Sequence, residues 1–105
     1  MAQFDVYENN DAKSCKRTPY LLDIQSNILE SLATMVVVPL RPYAQNKDAV
    51  ISKLHPVVKI GREEFVAVVT ELAGVRCSLL GAPVFSAAGE RQKIIDACDL
   101  ILTGF

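Results

Sequence analysis

The chain has a single histidine, His55, among its 105 residues. A metal site or catalytic triad built on several histidines is therefore excluded within one chain. The cysteines number three, Cys15, Cys77 and Cys98, and no C-x-x-C pair occurs. An odd count without paired spacing argues against a disulfide framework or a zinc knuckle. Neither charge is in excess. Lys plus Arg number 11 against 12 for Asp plus Glu, a formal net charge of −1. No basic half is hidden, since residues 1–53 hold six bases and six acids and the rest five and six. A nucleic-acid binder ordinarily carries a basic excess. No apolar run approaches the roughly 18 residues of a membrane span. Residues 1–10 lack the basic start of a signal peptide. The expectation is a protein of the reducing cytoplasm with no membrane partner. The Walker loop, the dinucleotide-binding glycine fingerprint, G-x-S-x-G and H-E-x-x-H are all missing. No cofactor is implied.

What is present is ordinary globular material, 50% hydrophobic and 22% charged, enough for one domain over residues 1–105. Residues 3–7 alternate and predict a first strand with Phe4 and Val6 facing the core. Residues 8–18 are polar and predict a long hairpin loop. Residues 20–24 resume an apolar strand, and Ser26 or Asn27 caps a short turn after it. Met35 to Val38 is β-branched and predicts a buried strand, bracketed by Pro39 and Pro42, which lack the N–H a ladder needs. Residues 41–53 predict a loop, residues 55–60 a strand, Gly61-Arg62 a tight turn, and residues 65–70 the returning strand. A turn at 71–74 follows, then short strands at 75–80 and 84–85 separated by Gly81 and Pro83. Ser86 is the expected N-cap of a helix over residues 87–103. Its apolar arc holds Ile94, Ile95, Ala97, Cys98, Ile101, Leu102 and Phe105, with Leu100 outside it. Gly104 follows as a C′ residue would. Several short strands closed by one helix describe a small β-barrel or strongly bent antiparallel sheet with a C-terminal helix packed on it.

Chemistry-bearing groups are sparse. Glu63 and Glu64 are neighbours on one strand, so they face opposite sides and cannot serve as a paired acid and base. His55, beside Pro56, reads as a strand-edge residue without a partner. Cys98 reads as a core residue. Cys15 sits near Lys13, Lys16 and Arg17 and is either a plain loop thiol or one activated by those cations. Three features resist a purely structural reading. Ile28 and Leu29 stand in a polar loop, Leu100 stands on the polar flank of the helix, and the chain ends Thr103-Gly104-Phe105. Each is either folded back on the core or part of an apolar contact surface.

Taken in order, the motifs resemble the CcdB toxins of toxin–antitoxin modules. The matching stretches are Gln3-Phe4-x-Val6-Tyr7, Leu22-Asp23-Ile24-Gln25-Ser26-x-Ile28-Leu29, Val36-Val37-Val38-Pro39-Leu40, Pro56-Val57-Val58-Lys59-Ile60-Gly61, Thr70-Glu71-Leu72-Ala73, Gly81 and Gly104. The resemblance implies an SH3-like barrel of the type shared by CcdB and MazF proteins, forming a homodimer and working without catalysis. It implies a toxin that binds the A subunit of DNA gyrase and traps the cleaved complex. It also implies an antitoxin of the CcdA kind, with operator DNA met only through the toxin–antitoxin complex. Carried over by position, the gyrase contacts fall on Ile28, Leu29, Glu30, Asp99, Thr103, Gly104 and Phe105, and the dimer seam on Ile101. Thr103 departs from the family pattern, which has Trp there, and so forgoes a cation–π contact worth about 0.5–2 kcal/mol. Asp99 stands where Asn is found and is suited to pairing with an arginine. Lys13, Lys16, Arg17, Arg41 and Lys47 are candidates to meet an acidic antitoxin segment, against the alternative of solvated loops. The runner-up function is a MazF-like endoribonuclease toxin on the same barrel, which calls for a positive groove and an acid–base pair.

Overall fold

The computed structural model describes residues 2–27, 31–51 and 53–104. Among the described residues there are seven strands and one α-helix, with short 3-10 turns between them. The strands are β1 (Asp5–Asn9), β2 (Tyr20–Asp23), β3 (Thr34–Pro42), β4 (Val57–Ile60), β5 (Glu63–Ala67), β6 (Ala73–Arg76) and β7 (Leu80–Ser86), and α1 is Arg91–Thr103. All pairings are antiparallel, in the order β4-β5-β3-β2-β1-β7, with β6 joined to β3 as well. The bent antiparallel sheet with a C-terminal helix matches the architecture expected from the sequence.

Alternation along the central strands sorts side chains to two faces. Val6, Leu22, Val38 and Leu40 point to the face that α1 covers, where Ile94 and Ala97 are fully buried and Phe65 and Val58 complete the core. Their immediate neighbours Tyr7, Leu21 and Val37, with Met35, form a second cluster on the opposite face. Val6 pairs with Leu22 and Leu22 with Val38, while Tyr7 pairs with Leu21 and Leu21 with Pro39. Each rung thus keeps its face across three strands.

Several expected breaks are absent because their context excuses them. β3 runs straight through Pro39 to Pro42. The Pro39 carbonyl accepts from Val68 N at 3.0 Å. A strand residue's N and C=O point the same way, so the missing N–H faces the gap between β6 and β5, where no ladder bond is lost. Pro83 lies inside β7, which is paired only to β1, and an edge strand tolerates Pro. Gly81 also lies within β7, at a register shift against β1. A Cβ there would meet Asn10 Oδ1 at 2.8 Å and Glu8 Cβ at 2.9 Å, so close strand approach demands glycine.

The first strand begins later than expected. Phe4 is buried but adopts φ 72°, held by its N–H to Asp23 O and by Ala87 N–H to its own carbonyl, both 2.7 Å. Regular strand geometry therefore starts at Asp5. At the other end, Ser86 does not cap α1. Its Oγ accepts from Ala88 N at 3.3 Å, a 3-10 turn over Ala88–Glu90 intervenes, and α1 starts at Arg91. Gly104 is the expected left-handed C′ residue, φ 78°, with its N–H on Leu100 O at 2.9 Å. Leu102 departs from the apolar arc and is 79% exposed. Ile95, two turns earlier on the same side, is packed against the core, so the cover on that side of the helix ends before Leu102, while Ile101 still packs inward. Ile94→Ala should cost about 2–5 kcal/mol, the range for a large core truncation. Leu102→Ala should cost almost nothing, and urea denaturation of both variants checks the contrast.

Candidate functional site

The groups expected to touch partners fall in two regions. The first is the end of α1. Asp99, Thr103 and Gly104 are all exposed there, and Thr103 donates its hydroxyl to Asp99 O at 2.7 Å. Asp99 lines a shallow depression with Lys53, Asp96 and Leu100. Ile101 is half-buried and packs against the protein's own core. Ile28, Leu29, Glu30 and Phe105 lie outside the described residues.

The second region lies where β2 begins and β3 ends. Tyr20 pairs with Leu40, so the residues before Tyr20 and after Leu40 are brought side by side. The first loop is tied down by its own polar groups. Asn9 Nδ2 donates to Thr18 O at 2.8 Å and to Ser14 Oγ at 3.0 Å, and Asp11 accepts from Lys13 N and Ser14 Oγ. This bracing leaves Lys13, Lys16 and Arg17 exposed. Opposite them, Asn46 Nδ2 donates to Pro42 O at 2.8 Å, and Lys47 stands over the Tyr43 ring at 5.9 Å. Lys16 and Arg17 with Pro42, Gln45 and Asn46 enclose an open cleft of about 420 Å³. Lys16 and Arg17 thus face the turn that follows β3 across one cleft.

Arg41 lies beneath. It is 8% exposed and grips Glu71 through Nη1 at 3.2 Å and Nη2 at 2.7 Å, with Nε 3.5 Å from Thr18 Oγ1. The guanidinium's hydrogen bonds hold the Glu71 carboxyl below the usual carboxylate range. The pair forms the polar end of a groove of about 220 Å³ whose walls include Leu21, Val37, Pro39, Val75 and Leu79. That groove opens on the sheet face away from α1. Nothing in the linear sequence marks it, since its walls come from separate strands.

His55 differs from its expected place at a strand edge. It is buried at a bend before β4, with Nδ1 2.8 Å from Ala49 O and Nε2 2.7 Å from Thr70 Oγ1. A carbonyl only accepts, so Nδ1 carries the proton and Nε2 takes the Thr70 hydroxyl in the neutral ring. This histidine ties the 47–49 turn to the 3-10 turn at Val69–Glu71. Burial pushes the Cys98 thiol up, as suits a packing residue. Among the described residues no three His, Cys, Asp or Glu side chains converge on a point that could hold a metal.

The profile of the CcdB protein family matches residues 3–104. The chain belongs to the CcdB family. It is therefore a toxin of the toxin–antitoxin type, with a cognate antitoxin as its partner. Among solved structures it is similar to an endoribonuclease in complex with its cognate antitoxin from a mycobacterial species. The TM-score is 0.73 at 14% identity, covering 97% of this chain and 94% of that one. At that identity the likeness is one of fold. No helix among the described residues is long and apolar enough to cross a membrane.

The Arg41–Glu71 pair carries a pH signature. A carboxyl whose folded value is depressed adds stability that is full above its unfolded value and is lost as pH falls through the folded one. Glu71→Gln should therefore destabilise by about 1 kcal/mol at neutral pH, because the buried Arg41 loses its charged partner while solvent screens the half-exposed Glu71 side. The gap in melting temperature between the variant and the parent should close as pH drops below about 4.3, the ordinary glutamate value. Thermal melts from pH 7 to pH 3 measure it.

Proposed function

We propose that this protein is a cytoplasmic gyrase poison. A homodimer would bind the A subunit of DNA gyrase through the ends of its two α1 helices and the loops at residues 28–30. An antitoxin of the CcdA kind would neutralise it, and operator DNA would be met only through that complex. The family match over nearly the whole chain carries the reading. The exposed end of α1 supports it, since Asp99, Leu102, Thr103 and Gly104 all stand free of the core. Val84 and Phe85, 42% and 39% exposed on β7, add apolar surface suited to a second protomer. A poison of this kind needs no catalytic group. It needs only to favour the cleaved state of gyrase over the closed one, because a ligand shifts an equilibrium by its differential affinity. A two-fold toxin can meet a two-fold target with the same contacts from each protomer.

The endoribonuclease among its structural neighbours gives a second reading. Cutting RNA requires a cation free to stabilise phosphate charge and a base that titrates near neutrality. The cation in the groove, Arg41, is already bound by Glu71, and that pairing lowers the Glu71 carboxyl further from neutrality. Asp11 adds a second acid to the same groove. The gyrase reading is the better supported of the two.

Removal of residues 103–105 tests it. With purified gyrase and plasmid, the full chain should accumulate linear DNA. The truncated chain should need at least about 30-fold more protein, as when a contact worth about 2 kcal/mol is lost. Its melting curve and antitoxin binding should stay near those of the parent. Undiminished cleavage would sink the assignment of the helix end, and RNA cut without gyrase would overturn the poison reading itself.

A further inference from the structure

β2 and β3 separate in a particular way. Asp23 pairs with Val37, and Ile24 N donates to Val36 O at 3.2 Å. Beyond that bond the main chain after β2 turns aside. The buried carboxylate of Asp23 accepts from Gln25 N at 2.8 Å, a turn in which an acidic side chain holds the amide two residues on. With its main-chain N–H so engaged, Gln25 meets β3 through its side chain. Its Oε1 accepts from Val36 N at 3.1 Å, and its Nε2 lies 3.5 Å from Thr34 O. Residues two apart in a strand share an orientation, so Thr34 and Val36 offer these groups along one edge. A primary amide has one acceptor end and one donor end. It therefore meets that edge as a peptide group would and prolongs the ladder beyond the strand.

Two further amides close the same stem. Gln3 Nε2 donates to Ile24 O at 3.1 Å, and Asn27 Oδ1 accepts from Gln3 N at 2.6 Å. On the returning side, Cys77 N donates to Ala33 O at 2.9 Å. We propose that Gln25 is a positioning residue for target binding. Its amide ties the outgoing stem of the segment 26–33 to the returning one, and so sets where Ile28, Leu29 and Glu30 are presented. The inference rests on the gyrase reading, in which those three residues meet the target, and adds the group that places them without touching it. The gain is entropic. Ordering a segment at the moment of binding costs free energy, and a stem clamped beforehand lowers that cost. Loss of the amide also leaves Val36 N–H, on a half-buried strand position, without this acceptor, so the two stems have reason to stay joined.

The test is a pair of double-substitution cycles on the full chain, read by linear DNA formed with purified gyrase and plasmid. Gln25→Ala should raise the toxin concentration for half-maximal cleavage by at least about tenfold. Leu29→Ala should weaken poisoning strongly in the parent and much less in the Gln25→Ala chain, because a contact already misplaced has less to lose. Removal of residues 103–105 should weaken poisoning by the same factor in both backgrounds. Gln25→Glu keeps the acceptor for Val36 N and loses the donor towards Thr34 O. It should fall between the parent and Gln25→Ala, and it replaces Gln25→Ala in both cycles if that variant fails to fold. Equal losses from Leu29→Ala with and without Gln25 overturn the proposal, as does parent-like poisoning by Gln25→Ala. An unmodified chain that does not poison gyrase would bring down the gyrase reading instead. Positioning is then read by NMR in the toxin alone. In Gln25→Ala the Val36 amide should exchange at least about tenfold faster, and the order parameters of Asn27 and Leu32 should fall while those of α1 stay. Unchanged order parameters at Asn27 and Leu32 overturn the positioning role itself.

Discussion

β3 changes partners halfway along one edge, and the rest of the molecule is arranged around that change. Residues Thr34 to Val37 pair with β6, residues Leu40 to Pro42 pair with β5, and the other edge pairs with β2 from Val37 to Leu40. Two strands cannot both lie flat beside one edge of a nine-residue strand without diverging. The sheet therefore bends at residues 38–39, and Pro39 stands where its missing donor costs least. The bend gives α1 a concave face on which Ile94 and Ala97 are wholly buried. On the reverse it leaves a groove between β2, β3 and β6.

That geometry assigns different chemistry to the two faces. The face under α1 is closed and ends in an exposed helix terminus. The reverse face is capped only in part, by Val75, Cys77 and Leu80 over Tyr7, Leu21, Met35 and Val37. The bend produces that difference between the faces. Gly81 contributes by letting β7 close against β1 where any side chain would collide with Glu8 and Asn10.

Much of this was legible in the sequence, and the rest was hidden for identifiable reasons. Alternation at Val6-Tyr7, Leu21-Leu22 and Val37-Val38 marked the strands, and the spacing of Ile94, Ala97, Cys98 and Ile101 marked the inner face of the helix. Punctuation residues misled. Pro39, Gly81 and Pro83 look like breaks when judged by local rules, and are harmless where a ladder gap, a close approach or a sheet edge suits them. Leu102 misled in the opposite sense, because periodicity tells which side of a helix a residue occupies and not where the supporting layer stops. The groove left no local trace. It depends on register that gathers Leu21, Val37 and Val75 from three strands, and on Arg41 meeting Glu71 across 30 positions. The two basic stretches were visible separately. Only the pairing of Tyr20 with Leu40 sets Lys16 and Arg17 across a cleft from Pro42, Gln45 and Asn46.

The net charge of −1 conceals a segregation that bears on how two partners are told apart. Lys13, Lys16, Arg17 and Lys47 gather about the β2–β3 end. The outer side of α1 carries Asp96 and Asp99, with Lys53 beside them in the same shallow depression, and its last turn has no basic residue. A helix C-terminus presents partial negative charge of its own, so Asp99 and the dipole add rather than cancel. An acidic segment is thus favoured at the first region over the second. A basic site on a target has the reverse preference. On the gyrase reading, Asp99 would take over part of the role that the family resemblance gives to a Trp at position 103. The ring's cation–π attraction for an arginine is lost, and the Asp99 carboxylate beside the helix terminus offers the same arginine an ionic partner. Recognition of the target would then depend on salt more steeply in this chain than in relatives that use the aromatic ring.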